Sequence, residues 1–99
     1  MTTNINTAIH SMTTASGSAS VNTTDRKGIL KQVLISPASS TTDYDIKLTN
    51  DQSLIIYLRT TETGDLAEEV ALPVLGIYTI NIDGATKDEV FKVELVIQA

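Results

Sequence analysis

From Arg26 to Gln98 apolar and polar side chains alternate in short runs cut by turn residues, whereas residues 1–24 contain no acidic or basic side chain apart from His10. Alternation with a period of two is the pattern of strands that bury one face. Such a chain folds as a compact β-domain. The Thr-, Ser- and Asn-rich stretch in front of it reads as an extended arm. The boundary falls at residue 24: an N-terminal arm over 1–24 and a β-sandwich domain over 25–99.

Within residues 1–16, Ile5, Ile9 and Met12 stand at i, i+4 and i+7, the spacing of one helical face. Their neighbours are poor helix formers, so an extended arm is expected. Gly17 and the serines around it are linker-like, and Ser18–Thr23 forms at most a weak first strand. Gly28–Ser36 is aliphatic on both faces and reads as a central strand ended by Pro37. In Tyr44–Thr49, Tyr44, Ile46 and Leu48 point inward and Asp45, Lys47 and Thr49 outward. The turn Asn50-Asp51-Gln52 leads into the apolar run Ser53–Arg59, making a hairpin. A short edge strand over Leu66–Leu72, which also fits two helical turns, ends at Pro73. Gly76–Ile82 presents Tyr78, Ile80 and Ile82 on one face. Asp83-Gly84 is a strong turn dipeptide. Glu89–Gln98 directs Phe91, Val93, Leu95 and Ile97 inward. The fold class is therefore all-β, a single antiparallel β-sandwich of about seven strands with an extended N-terminal arm.

The chain has 99 residues, no cysteine, one histidine and a formal net charge of −5. One domain is the most it holds. A domain this small with neither disulfides nor a Cys- or His-rich metal site commonly leans on oligomerisation or docking. Its acidic balance disfavours nucleic acid and anionic membranes. No apolar run approaches the roughly 20 residues of a membrane helix, and no secretion signal is visible at Met1–Asn6.

No constellation of catalytic type emerges. His10 lies in the expected arm, where a preorganised triad has no support. Asp43 and Asp45 flank Tyr44 on one strand face and, with Asp51 or Asp83, compose an oxygen-rich set that a calcium ion accepts. Paired acids on an outward face more often form a solvated surface that discourages edge pairing. Arg26, Lys27 and Lys31 form the one basic cluster. The expectation is a protein that is not an enzyme and carries no cofactor and no metal. Leu72-Pro73-Val74-Leu75-Gly76-Ile77-Tyr78 is unusually apolar for a strand transition and is either entry into the core or an exposed contact patch.

Lys27–Pro37, then Tyr44–Asn50, then Gly76–Ile82, a polar turn and Glu89–Gln98 together resemble small β-sandwich virion structural proteins of tailed bacteriophages, of the capsid decoration (cement) type. The resemblance covers residues 26–98 and rests on strand phasing. It implies a non-enzymatic structural part of the virion, a cement protein on the phage head or a neck, tail or fibre module that contacts the host surface. It implies the major capsid protein as partner, self-association with a trimer among the options, and no nucleic-acid or membrane partner. The candidate partner contacts are Ile5, Ile9 and Met12 of the arm and Leu72, Val74 and Leu75 of the apolar run. An arm that orders on docking covers a large area for its length.

Overall fold

The computed structural model describes residues 5–99, with side chains described from Thr7 onward. Among the described residues eight strands form: β1 (Ile5–Thr13), β2 (Ala19–Asn22), β3 (Arg26–Pro37), β4 (Asp43–Thr49), β5 (Ile55–Thr63), β6 (Leu66–Gly76), β7 (Thr79–Asp83) and β8 (Val90–Gln98). They make two four-stranded sheets, β1-β8-β3-β6 and β2-β7-β4-β5. Every pairing is antiparallel. The expected all-β sandwich is the observed architecture, with eight strands in place of about seven.

Inward residues of both sheets build one apolar layer. Phe91, Val93, Leu95 and Ile97 of β8 and Leu30, Val33 and Ile35 of β3 supply one side. Tyr44, Ile46 and Leu48 of β4 with Ile80 and Ile82 of β7 supply the other. All of these are buried, and each buried aliphatic or aromatic side chain is worth about 1.5–3 kcal/mol of transfer free energy. At one end of the layer the Tyr44 and Phe91 rings meet edge to face at 5.2 Å between centroids. The Tyr44 hydroxyl donates to the Gly64 carbonyl at 2.7 Å, so its one polar atom is satisfied inside the core.

Strand β3 lies between β8 and β6, as its two-faced aliphatic pattern implied. Its phase slips at a bulge between Leu30 and Gln32 in both pairings. The extra residue, Lys31, goes to solvent, and Val33 regains the inward face that Leu30 held. Strand β6 is an edge strand and not a helix. It runs through Pro73 to Gly76, beyond the expected stop, because an edge position tolerates the missing N–H.

The boundary expected at residue 24 does not separate an arm from a domain. Residues Ile5–Thr13 are extended, as expected, but they pair with β8 in unbroken register. Ala19–Asn22 pairs with β7. Along β1, Met12 is buried in the core, Ala8 and His10 are half-buried, and Thr7, Ile9, Ser11 and Thr13 face outward. Residues of this stretch therefore contribute to the sandwich. Deleting residues 1–16 is expected to lower the thermal midpoint by on the order of 10 °C, through loss of the Met12 contact and the uncovering of β8. A calorimetric scan of the truncated chain checks this.

Gly28 permits a close approach of β3 to the end of β8. Its φ is +140°, and a Cβ built there would stand 2.3 Å from the Gln98 carbonyl oxygen. Gly28→Ala is expected to cost about 2–4 kcal/mol, from backbone strain together with overpacking. Urea unfolding followed by circular dichroism measures it, with a lower midpoint at unchanged slope as the expected result.

Candidate docking surface

The two ends of the sandwich differ in chemistry. One end gathers the loops Thr14–Ser18, Ala38–Thr42, Gly64–Asp65 and Gly84–Glu89, and nearly every polar group there has a partner. Thr42 is fully buried and its hydroxyl donates to Glu89 Oε1. The Ser39 hydroxyl donates to Glu89 Oε2 at 2.9 Å. The Asp88 carboxylate accepts the Gly17 N–H at 2.9 Å and the Ser16 N–H at 3.2 Å. The Thr14 hydroxyl donates to the Lys87 carbonyl and accepts the Glu89 N–H. The hydroxyl bonds from Thr42 and Ser39 hold the Glu89 carboxyl below its usual range, with the Thr42 bond the larger cause.

The acidic residues singled out as a calcium set serve this framework. Asp43 accepts the Thr63 hydroxyl at 2.6 Å. Asp45 accepts the Thr61 N–H at 2.8 Å, which braces a residue of positive φ, 57°. Asp83 accepts the Ser18 hydroxyl at 3.1 Å. Asp45 and Asp83 sit opposite one another in the β4–β7 register, while Asp51 lies in the turn at the other end of β4. Among the described residues no group of three or more His, Cys, Asp or Glu is placed to hold a metal ion.

The opposite end has a different surface. There β3 begins, β6 and β8 end, and the short link Ile77-Tyr78 crosses from one sheet to the other. Leu75 is 73% exposed and Ile77 49%. Ile29, Leu54 and Ile55 are also exposed large aliphatics. Register puts Lys27 opposite Leu75 and Ile29 opposite Gln98 in the first sheet, and Thr49 opposite both Ile55 and Thr79 in the second, all at this end of the sandwich. A shallow depression of about 490 Å³ opens between Lys27, Ile29, Leu75 and Gln98. Hydrogen bonds brace the link that carries Leu75 and Ile77. The Leu75 N–H donates to the Tyr78 hydroxyl at 2.8 Å, and Thr23 and Tyr78 exchange two bonds, Thr23 N–H to the Tyr78 carbonyl at 2.8 Å and Tyr78 N–H to the Thr23 hydroxyl at 3.0 Å.

The six expected contact residues divide. Leu75 lies on the apolar end, whereas Val74 is buried in the core and Leu72 packs partly against it, because β6 alternates. The run Leu72–Tyr78 is thus both core entry and exposed patch, residue by residue. Ile9 is exposed on the outer face of β1, and Met12 is inward; a strand sends residues three apart to opposite faces, so the helical grouping of the two dissolves. The Ile5 side chain lies outside the described residues. Ile9 and Leu75 stand on opposite edge strands and do not form one site. Ile29, Leu54 and Ile55 are contributors that pattern reading missed. The signal for Ile55 was its neighbour Ile56, since adjacent aliphatics on an edge strand cannot both point inward, while Leu54 precedes the strand.

His10 projects between the sheets from β1. Burial, and then the nearby positive charge of Arg26, lower its pKa from the ordinary 6.5. The unfolded chain therefore takes up this proton before the folded one does. Stability associated with neutral His10 is present above about pH 6.5 and is lost as pH falls through the folded value. Thermal melts between neutral pH and about pH 5 are expected to show this decline, and His10→Asn to flatten it.

What fold and surface define is a two-sheet all-β sandwich with a hydrogen-bonded acidic end and an apolar end. No protein-family model matches the chain, and no curated protein matches it. Among solved structures the chain is similar to a chain in the structure of infectious bursal disease virus Gx strain. The identity is 10%, the TM-score 0.38, and the match covers 99% of this chain and 32% of that one. The chain thus spans about a third of the length of that neighbour.

Proposed function

We propose that the protein is a non-enzymatic structural component of a virion, a decoration (cement) protein seated on the exterior of a phage head. In this reading the apolar end docks on the major capsid protein and the acidic end faces solvent. The observation that carries the proposal is the unequal distribution of exposed large aliphatics: among the described residues Ile29, Leu54, Ile55, Leu75 and Ile77 stand at one end, against Val90 alone at the end whose carboxylates accept hydrogen bonds. The sequence resemblance over residues 26–98 supports the same assignment. Repetition over a symmetric shell turns a modest contact into firm attachment by multivalency.

Surface recognition of host glycans finds little support. Tyr44, Tyr57, Tyr78 and Phe91 are all buried, so no aromatic platform is left for a sugar ring. A neck or tail location uses the same end-on docking and is distinguished by where the protein binds.

The test is binding of purified protein to capsids that lack it. Saturable binding to heads is the expected outcome, weakened roughly tenfold or more by Leu75→Glu and by Ile77→Glu. Both positions are exposed, so the variants retain the wild-type melting temperature. Binding to isolated tails and not to heads assigns the neck or tail instead. Absence of binding to either, or undiminished binding by both variants, overturns the proposal.

A further inference from the structure

The sandwich has four edge strands, β1 and β6 in one sheet and β2 and β5 in the other. An open edge is a row of unpaired N–H and C=O groups, and proteins blunt such rows with charge, proline, bulges or short length. Three edges here are blunted. β2 has only four residues. β5 carries Arg59 and Glu62, and its register against β4 shifts twice. β6 carries Glu68, Glu69 and Pro73. β1 has none of these devices. It is nine residues long, pairs with β8 without a register shift, and contains neither proline nor any charged side chain other than the imidazole of His10.

We infer that β1 is the self-association edge of this protein, pairing antiparallel with β1 of a second copy about a two-fold axis through Ile9. The geometry favours this register. A two-fold at Ile9 sets Ile5 opposite Thr13 and pairs every residue between them. Outward Thr7 then stands opposite outward Ser11 of the second copy, hydroxyl against hydroxyl. Half-buried His10 stands opposite Ala8, which keeps the two imidazoles apart. Ile9, 65% exposed in the single chain, meets its own counterpart. An isologous contact requires this self-complementarity. Charge points to the same occupant. Each copy bears a net charge of −5, and β1 is the long edge along which two copies meet without facing carboxylates. Behind Ile9, the neighbouring β8 offers one charge of each sign, Lys92 and Glu94, beside an apolar depression that Leu34 and Ala67 also line. The product is a continuous eight-stranded sheet with β6 at both outer edges.

Sedimentation velocity over a concentration series tests the inference on the full chain. A reversible dimer is expected. Ile9→Lys and Ile9→Glu each set like charges on the axis and are expected to weaken dimerisation roughly tenfold or more. Mixed one to one, the two variants are expected to form a heterodimer. Ile9→Cys, in a chain with no other cysteine, is expected to give a disulfide-linked dimer on mild oxidation. Since Ile9 is exposed in the single chain, circular dichroism melts of the variants at concentrations where the wild type is monomeric should match the wild type and certify their folding. A wild-type chain that stays monomeric at all concentrations overturns the inference, as does a dimer that persists undiminished in Ile9→Lys. Head binding through Leu75 and Ile77 is read separately, so either result stands without the other.

Discussion

The apolar layer between the sheets depends above all on β8, the one strand that holds two partners in the first sheet while directing four consecutive inward positions, Phe91, Val93, Leu95 and Ile97, into the interior. β3 approaches the end of β8 closely at Gly28, where no side chain intervenes before the Gln98 carbonyl. β1 owes it its only strand partner among the described residues. Sheet two then needs only to present Tyr44, Ile46, Leu48, Ile80 and Ile82 across the gap. Among the described residues the interior is filled in this way by side chains of both sheets.

Much of this was legible in the residues because β4, β7 and β8 follow strict alternation, and burial on one face enforces that pattern. Three features were not. The slip at Lys31 is invisible to a period-two reading, because a bulge adds one residue and reverses phase without any turn residue to announce it. β6 outran Pro73 because being an edge strand is a property of the assembled sheet and not of the local sequence. β1 was the largest difference. Its inward positions include Ala8 and His10, so it carries almost no hydrophobic signal, and its extended form is secured by hydrogen bonds to a strand far away in sequence. The docking surface was half legible. Leu75 stood out within an apolar run, whereas Ile29 joins it only through the β3–β6 and β3–β8 registers, and Leu54 and Ile55 reach the same pole only through the second sheet.

The two poles solve opposite problems. At the acidic end, carboxylates terminate loops by accepting N–H and O–H donors, so charge there is consumed in architecture while remaining in contact with water. At the other end, buried Thr23 and Tyr78 satisfy the backbone of the crossover beneath exposed Leu75 and Ile77. Rigidity beneath exposed apolar side chains lowers the ordering entropy that any partner contact must offset.

The pairing of β1 with β8 also has a kinetic meaning. Thr14 and Glu89, which close this edge through a side-chain bond, are 75 residues apart, and β3 likewise finds β8 only across most of the chain. Sheets built from such distant contacts assemble slowly, since loop closure is lost in entropy before any contact returns it. Until β8 arrives, β1 has no partner and must wait in water. Its wealth of threonine and serine suits that wait, because a strand of ordinary hydrophobicity left bare for so long would invite aggregation.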